Sequence, residues 1–173
     1  PFHLNDEKCV KNDCSMEKKL IVTGPNASGK TTFLKTHTIN VLMCQQFGFG
    51  FFDQGTLHPY THIHSYLNIP DTSERDSLFQ AESRRCKDII DSISEFPEED
   101  GYRHYCIFDE LYSGTNPKEA TKSAYAFLKY MSNYSHVDFI LTTHYVSVCS
   151  KLKKSKLVNN FKMDVKKKKG KLI

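Results

Sequence analysis

Residues 20–31 carry the sequence LIVTGPNASGKT, and this stretch indicates the fold of the whole chain. Its first four residues are apolar or β-branched, which predicts a short buried strand. The next eight match the pattern G-x-x-x-x-G-K-[ST], in which backbone N–H groups surround phosphate oxygens at the start of a helix. The predicted phosphate-binding residues are Gly24, Pro25, Asn26, Ala27, Ser28, Gly29, Lys30, Thr31 and Thr32. The sequence therefore predicts a strand–loop–helix unit that binds a nucleoside triphosphate.

Two side chains of this loop have predicted roles in the chemistry of the bound nucleotide. Lys30 supplies a positive charge toward the β- and γ-phosphates, and the Thr31 hydroxyl is a ligand for Mg²⁺. A chance match to the pattern is improbable, because glycine makes up only about 7% of average sequences. The loop therefore predicts ATP and Mg²⁺ as cofactors.

A second motif follows the apolar run at residues 105–108, which predicts another buried strand. The run ends in Asp109 and Glu110, so both acids lie at the carboxyl end of a strand, where ligands bind in parallel α/β sheets. Asp109 is expected to hold Mg²⁺ together with Thr31, directly or through water. Glu110 is expected to act as the general base that polarises the attacking water. Together with the phosphate loop, these acids predict hydrolysis of ATP.

A third motif, Thr142-Thr143-His144, follows the apolar run at residues 137–141. A histidine at this position can form a hydrogen bond to the γ-phosphate or to the attacking water. We therefore predict that His144 takes part in catalysis and senses hydrolysis.

The order of the predicted elements indicates an α/β fold of the P-loop NTPase type, with a mostly parallel sheet flanked by helices. Strands are predicted at residues 20–23, 49–52, 105–108 and 137–141, and helices at 30–46, 77–96, 117–131 and 145–152. Residues 53–76 are predicted to be a long irregular connection. Residues 158–165 and 172–173 are predicted to form a final hairpin around Lys169 and Gly170. The whole of 1–173 is predicted to be one domain.

Composition restricts the environment of the chain more than its partners. The net charge is +4 over 173 residues, and lysines are concentrated in the basic segment 153–173. This segment is either a solvated sheet edge or a contact to DNA phosphates. The six cysteines form no C-x-x-C pair, which predicts free thiols in a reducing intracellular compartment: nucleus, cytoplasm or viral factory. No signal peptide or membrane span is evident, and a first residue other than Met suggests a fragment of a longer protein.

These motifs, in this order, resemble the C-terminal ATPase domain of the MutS DNA mismatch-repair family. Thr23-Gly24-Pro25-Asn26 leading into the loop is similar to that family more than to P-loops in general. Three further segments resemble family motifs: Ser77-x-Phe79-x-x-Glu82, Asp109-Glu110-Leu111 with Gly114-Thr115, and Thr143-His144-Tyr145. Cys9-Val10-Lys11-Asn12-Asp13 is similar to the family's adenine-packing segment. The resemblance extends from about residue 9 to about residue 165.

The resemblance implies an ATPase domain of the ABC superfamily type that works as a homodimer or heterodimer with composite ATP sites. Ser77 is then expected to act in trans, reaching the γ-phosphate held by the opposite subunit. Asn26 is expected to help close that interface, while Cys9 and Val10 flank the adenine. DNA is expected to bind through domains absent from this chain, with no membrane contact.

The chain departs from the family pattern at Ala27-Ser28, where Met-Gly is usual, and at Tyr112-Ser113, where Gly-Arg is usual. Cys9 also replaces a common aromatic residue. These departures suggest a divergent member.

Three other functions fit the phosphate loop. One is an ABC-type ATPase subunit of another system, although no L-S-G-G-Q segment precedes the acidic strand. Another is a small nucleotide kinase, which would need acceptor-site arginines that this chain has few of. The last is a non-catalytic nucleotide-binding interaction module. A metal site at His58, His62 and His64 is disfavoured, because these histidines occur in the predicted irregular connection without cysteines.

Overall fold

A computed structural model describes residues 10–67, 69, 77–153 and 156–165, together with the backbone of 167–168 and 171–172. The strands are β1 (Lys19–Thr23), β2 (His62–Tyr66), β3 (His104–Asp109), β4 (Val137–Thr143), β5 (Val158–Lys162), β6 (Lys167–Lys168) and β7 (Lys171–Leu172). The helices are α1 (Lys30–Phe47), α2 (Leu78–Glu95), α3 (Pro117–Met131) and α4 (Val146–Leu152), with a 3₁₀ turn at Glu98–Asp100. None of the helices in the described residues is long and apolar enough to cross a membrane.

The main sheet has five strands in the order β2-β3-β4-β1-β5, and every neighbouring pair is parallel. The predicted α/β fold with a parallel sheet and flanking helices is therefore confirmed. Strand β4 lies between the loop strand β1 and the acidic strand β3. Its register pairs Thr143 with Thr23 and Thr142 with Asp109, so the three strands end side by side.

Side chains alternate between the two faces of the sheet along each strand, and a hydrophobic core covers each face. Leu20, Val22 and Ile140 belong to the core on the α1 face. Ile21 and Phe139 belong to the larger core, which contains buried residues of α2, α3 and α4. Burial on both faces explains why β1, β3 and β4 are continuous apolar runs.

Helix boundaries follow from local capping chemistry. Ser77 begins α2 in a capping box with Gln80, each side chain bonding the other residue's backbone N–H. Asn116 caps α3, and Pro117 occupies its first turn, where the missing N–H has no consequence. Gly48 ends α1 in the left-handed conformation. The four predicted helices are present within one residue of their predicted ends.

The predicted strand at residues 49–52 is wrong. That segment contains bends, and the Phe49 and Phe52 side chains are exposed. The Phe51 N–H donates to the Asn40 side chain at 2.7 Å and not to a neighbouring strand. The second strand along the chain is β2, within the segment predicted to be irregular. A hydrophobicity pattern does not predict this strand because it contains two histidines, although His64 is buried.

The predicted final hairpin is partly wrong. Residues 158–162 form β5, which pairs in parallel with β1 and not with the chain terminus. The antiparallel pair is formed by β6 and β7, and the predicted turn at residues 169–170 lies outside the described residues. The long contact of β5 with β1 has no local signal, because its partner is more than a hundred residues away.

Candidate nucleotide-binding site

The carboxyl ends of β1, β3 and β4 bring the three predicted motifs into one site. Lys30 Nζ lies 3.3 Å from His144 Nε2, although 114 residues separate them in sequence. Thr31 Oγ1 lies 3.0 Å from a carboxylate oxygen of Asp109. Ligands bind at this end of parallel sheets, because the strand ends and helix N-termini converge there.

The phosphate loop is held together by hydrogen bonds from its own lysine, Lys30. Lys30 is 6% exposed, and its ammonium donates to the backbone carbonyls of Gly24 and Pro25 at 3.1 Å each. Gly29 precedes the helix with φ of 90°, a conformation that favours glycine. The Ser28 hydroxyl is buried and has no hydrogen-bond partner among the described residues. The loop thus holds a cation and an unused hydroxyl at the start of α1.

Oxygen atoms gather around Asp109. Its carboxylate accepts hydrogen bonds from the hydroxyls of Thr31 and Thr142. Thr142 is fully buried and adjoins Asp109 because the two residues are register partners. Carboxylate and hydroxyl oxygens are the ligands that Mg²⁺ prefers.

Glu110 and His144 form the shortest contact between two titratable side chains of the site. Glu110 Oε1 lies 2.5 Å from His144 Nε2. Because a carboxylate has no proton to donate at neutral pH, we assign the proton to Nε2, which donates to Glu110. Glu110 has φ of 54°, a conformation rarely adopted by non-glycine residues. The predicted general base, Glu110, and the predicted sensor, His144, are therefore in contact.

The beginning of α2 lies beside residues 110–116, which connect β3 to α3 and which we call the acidic loop. A pocket of about 170 Å³ is lined by Tyr66, Ile69, Glu82, Asp109, Glu110 and Ser113. Ser77 does not line this pocket; its side chain is exposed and accepts from the Gln80 N–H at 3.4 Å. The Ser77 hydroxyl is therefore placed at a helix start open to solvent.

The chemistry of these groups fits a triphosphate with Mg²⁺. Lys30 and the loop N–H groups provide positive charge, Ser28 provides an unused hydroxyl, and Thr31 with Asp109 provides hard oxygen ligands. No described residue blocks these roles by forming a disulfide or a structural metal site.

The remaining predicted contacts lie at the edge of the site or outside the described residues. Asn26, Ala27 and Thr32 are exposed on the loop and the first turn of α1. Val10 is 72% exposed, so the residues that the structure describes leave most of the predicted adenine contact uncovered. Cys9 lies outside the described residues.

Two site residues were missed by sequence reasoning. Thr142 was noted only as part of a strand end, and its bond to Asp109 depends on strand register. Tyr66 occurs in the unrecognised strand β2 and accepts a hydrogen bond from the Tyr112 N–H at 3.2 Å. Burial raises the pKa of Tyr66, so its hydroxyl stays neutral. Only the position of Thr142 beside Thr143-His144 gave a signal.

Comparison with known proteins points to one family. The family described as MutS domain V matches residues 20–173. The DNA mismatch repair protein MutS of Staphylococcus epidermidis is 26% identical over 168 residues, which are 95% of this chain and 18% of that protein. The Endonuclease MutS2 of Streptococcus pyogenes serotype M5 is 33% identical over 140 residues, which are 79% of this chain and 17% of that protein. The chain thus spans less than a fifth of the length of these relatives.

Proposed function

Because this chain belongs to the MutS domain V family, we propose that it is the ATP-binding and ATP-hydrolysing module of a MutS-like DNA mismatch-repair or DNA-processing protein. Residues 1–173 form a single ABC-type ATPase domain in this proposal. The names of the relatives support the DNA role, since one relative is a DNA mismatch repair protein and the other an endonuclease.

One observation carries the proposal: the contacts of Lys30, Asp109 and Glu110 meet at one end of the sheet. Lys30 would exchange the carbonyls of Gly24 and Pro25 for phosphate oxygens. Thr31 and Asp109 would hold Mg²⁺, which neutralises phosphate charge when bound. Transition-state charge would thus be stabilised by groups that are already in place.

Glu110 is the proposed general base. The water oxygen attacks the γ-phosphorus, the bond to the β-phosphate oxygen breaks, and Glu110 takes the proton of the water. His144 holds Glu110 through Nε2, which also lies 3.3 Å from Lys30 Nζ. Because Nε2–H and the Lys30 ammonium are both donors, they do not bond to each other. Movement of Lys30 toward a bound phosphate would change the surroundings of the His144 ring, which contacts Glu110, and this supports the sensor role of His144.

The proposed working unit is a homodimer or heterodimer. Ser77 is exposed at the start of an 18-residue helix, where a hydroxyl and free backbone N–H groups favour an anion. In the proposed dimer this anion is the γ-phosphate bound by the opposite subunit. Asn26 is exposed on the loop and would face the same interface, and Val10 and Cys9 would contact the adenine.

Replacement of Glu110 by Gln tests the enzymatic part of the proposal. Loss of the base is expected to lower the hydrolysis rate by about 10²–10⁴-fold while nucleotide affinity is retained. Hydrolysis is measured by phosphate release and affinity by titration with ATP. Glu99→Gln, an exposed acid in the 3₁₀ turn, is the matched control. An unchanged hydrolysis rate in Glu110→Gln would favour a non-catalytic nucleotide-binding module.

A further inference from the structure

We propose that Glu82 is a positioning residue that couples the helix start at Ser77 to the loop that follows Glu110. This inference rests on the proposed function. It assigns to one buried carboxylate the task of holding together two parts of the chain that serve different ATP sites in the proposed dimer.

Glu82 is joined to the acidic loop by three hydrogen bonds, and its carboxylate also interacts with the Tyr66 hydroxyl on β2. The side chain is 1% exposed, although a carboxylate is rarely buried so fully. It accepts from the Ser113 N–H at 2.8 Å, from the Ser113 hydroxyl at 3.0 Å and from the Gly114 N–H at 3.2 Å. A carboxylate accepting backbone N–H groups forms stronger bonds than a neutral acceptor. Glu82 therefore ties α2 to residues 113–114.

A second contact lies closer to Ser77. A Cβ added to Gly114 would lie 2.6–2.9 Å from side-chain atoms of Leu78, the residue directly after Ser77. Real Cβ atoms essentially never approach so closely, so only glycine lets the loop press against the first turn of α2. The loop backbone and the start of the helix thus touch without space for relative movement.

The loop itself needs external support. Glu110 and Tyr112 have φ of 54° and 60°, which strains non-glycine residues and persists only where the surroundings enforce it. The Tyr112 ring packs against Phe79 with centroids 5.5 Å apart, and its N–H donates to the Tyr66 hydroxyl. Two of these supports, Phe79 and Glu82, belong to α2. The conformation at Glu110 therefore depends on where α2 lies.

The consequence is a mechanical link within one chain. Glu110 acts on the nucleotide of its own subunit, whereas Ser77 acts on the nucleotide of the partner. Because Glu82 and Gly114 join their supporting segments, a displacement of one is transmitted to the other. Loss of Glu82 should therefore impair hydrolysis and dimer closure while sparing the phosphate loop, which Glu82 does not contact.

The test compares Glu82→Ala and Glu82→Gln in the full chain, with Glu95→Gln as the control on an exposed acid of the same helix. Affinity for ATP, kcat for hydrolysis and ATP-dependent sedimentation are measured. In Glu82→Ala, kcat is expected to fall at least ~10-fold and the ATP-dependent dimer to weaken, with ATP affinity within ~3-fold. Glu82→Gln keeps one acceptor oxygen for Ser113, so its kcat should be intermediate.

Gly114→Ala is the second variant, because it keeps every donor and acceptor of the Glu82 bonds while its added methyl group forces Leu78 and the loop apart. It should reproduce the loss of kcat and of dimer closure with ATP affinity unchanged. The coupling is wrong if kcat in Glu82→Ala and Gly114→Ala equals that of Glu95→Gln. It is equally wrong if ATP affinity, kcat and thermal stability decline together, since that pattern indicates a purely structural role. Failure of the proposed function looks different, because the unmodified chain would then not hydrolyse ATP.

Discussion

The two ends of the main sheet both carry clusters of polar side chains, but they use them differently. At the amino end, His64 Nε2 lies 2.9 Å from His104 Nδ1, and His104 Nε2 lies 2.8 Å from the Phe96 carbonyl. Arg103 pairs with Asp138 at 3.2 Å. At the carboxyl end, the hydrogen bonds that Lys30 donates go to the backbone carbonyls of Gly24 and Pro25, its Nζ also lies 3.3 Å from His144 Nε2, and Glu110 is partly exposed.

This difference separates a structural polar cluster from a site that can accept a ligand. Most amino-end groups bond to one another: Tyr60 donates to Asp138 at 2.9 Å and lies under the Arg103 guanidinium. The exception among the described residues is His136, whose buried Nε2 has no hydrogen-bond partner. Burial lowers the pKa of His64 to about 4 and also lowers that of His104, so both rings are neutral at pH 7. The carboxyl end keeps strained backbone and exchangeable contacts, which a polyanion can replace. Substitutions should therefore affect stability at one end and activity at the other.

The largest expected effect is at the carboxyl end, in Lys30→Ala. Loss of the cation should weaken ATP binding by at least about 100-fold, because charge-assisted bonds to phosphate are lost. Isothermal titration with ATP measures this. Lys35→Ala, an exposed lysine on the same helix, should bind normally. Normal affinity in Lys30→Ala would refute the phosphate-loop assignment.

A substitution at the amino end should show the opposite pattern. Asp138→Asn removes a carboxylate that serves both Arg103 and Tyr60, so the free energy of unfolding should fall by about 1–3 kcal/mol. Urea denaturation measures the loss, and ATP hydrolysis by the folded protein should remain within about 2-fold. Asp88→Asn is the control on an exposed acid. A strong loss of hydrolysis in Asp138→Asn would show that the two ends are not separate in function.

Ser77→Ala should produce a smaller effect that appears only with ATP and a second subunit. The ATP-driven dimer is expected to weaken by about 10-fold because a trans hydrogen bond is lost, and loss of the helix cap should cost about 1 kcal/mol of stability. Sedimentation with and without ATP separates the weakening of the ATP-driven dimer from the loss of stability caused by the missing helix cap. Equal weakening of ATP binding and dimer closure would reject the trans role.

The smallest expected effect concerns pH at the amino end. The folded pKa of His64 lies near 4, below its ordinary value of 6.5, so the unfolded state binds more protons between these values. The contribution of His64 to the free energy of unfolding should therefore be fully present above pH 6.5 and be lost progressively as the pH falls toward 4. His64→Gln should reduce this dependence by less than one proton, whereas His58→Gln, an exposed histidine, should leave it unchanged. Thermal melts at several pH values would show whether the His64 slope is present.

Local patterns in the sequence predicted most of the fold and the central site residues. The phosphate loop, Asp109 and Glu110 were identified because their residue types, their spacing and the preceding apolar runs are all local. Strand β2 was missed because its buried residues, His64 and Tyr66, are polar, and His64 is buried against its partner His104 on β3. The run at residues 49–52 was misassigned because apolar residues alone do not ensure a strand partner.

The sequence by itself determined which residues are the candidates for binding phosphate and Mg²⁺, because that prediction depends on side-chain chemistry and on the glycine-rich backbone. Tertiary structure alone decided that β4 lies between β1 and β3. That order places Thr142 on Asp109 and His144 between Lys30 and Glu110. It also joined Glu82 to Ser113 across 31 residues. Such contacts depend on strand order and register, which the packing of distant segments sets and no local pattern encodes.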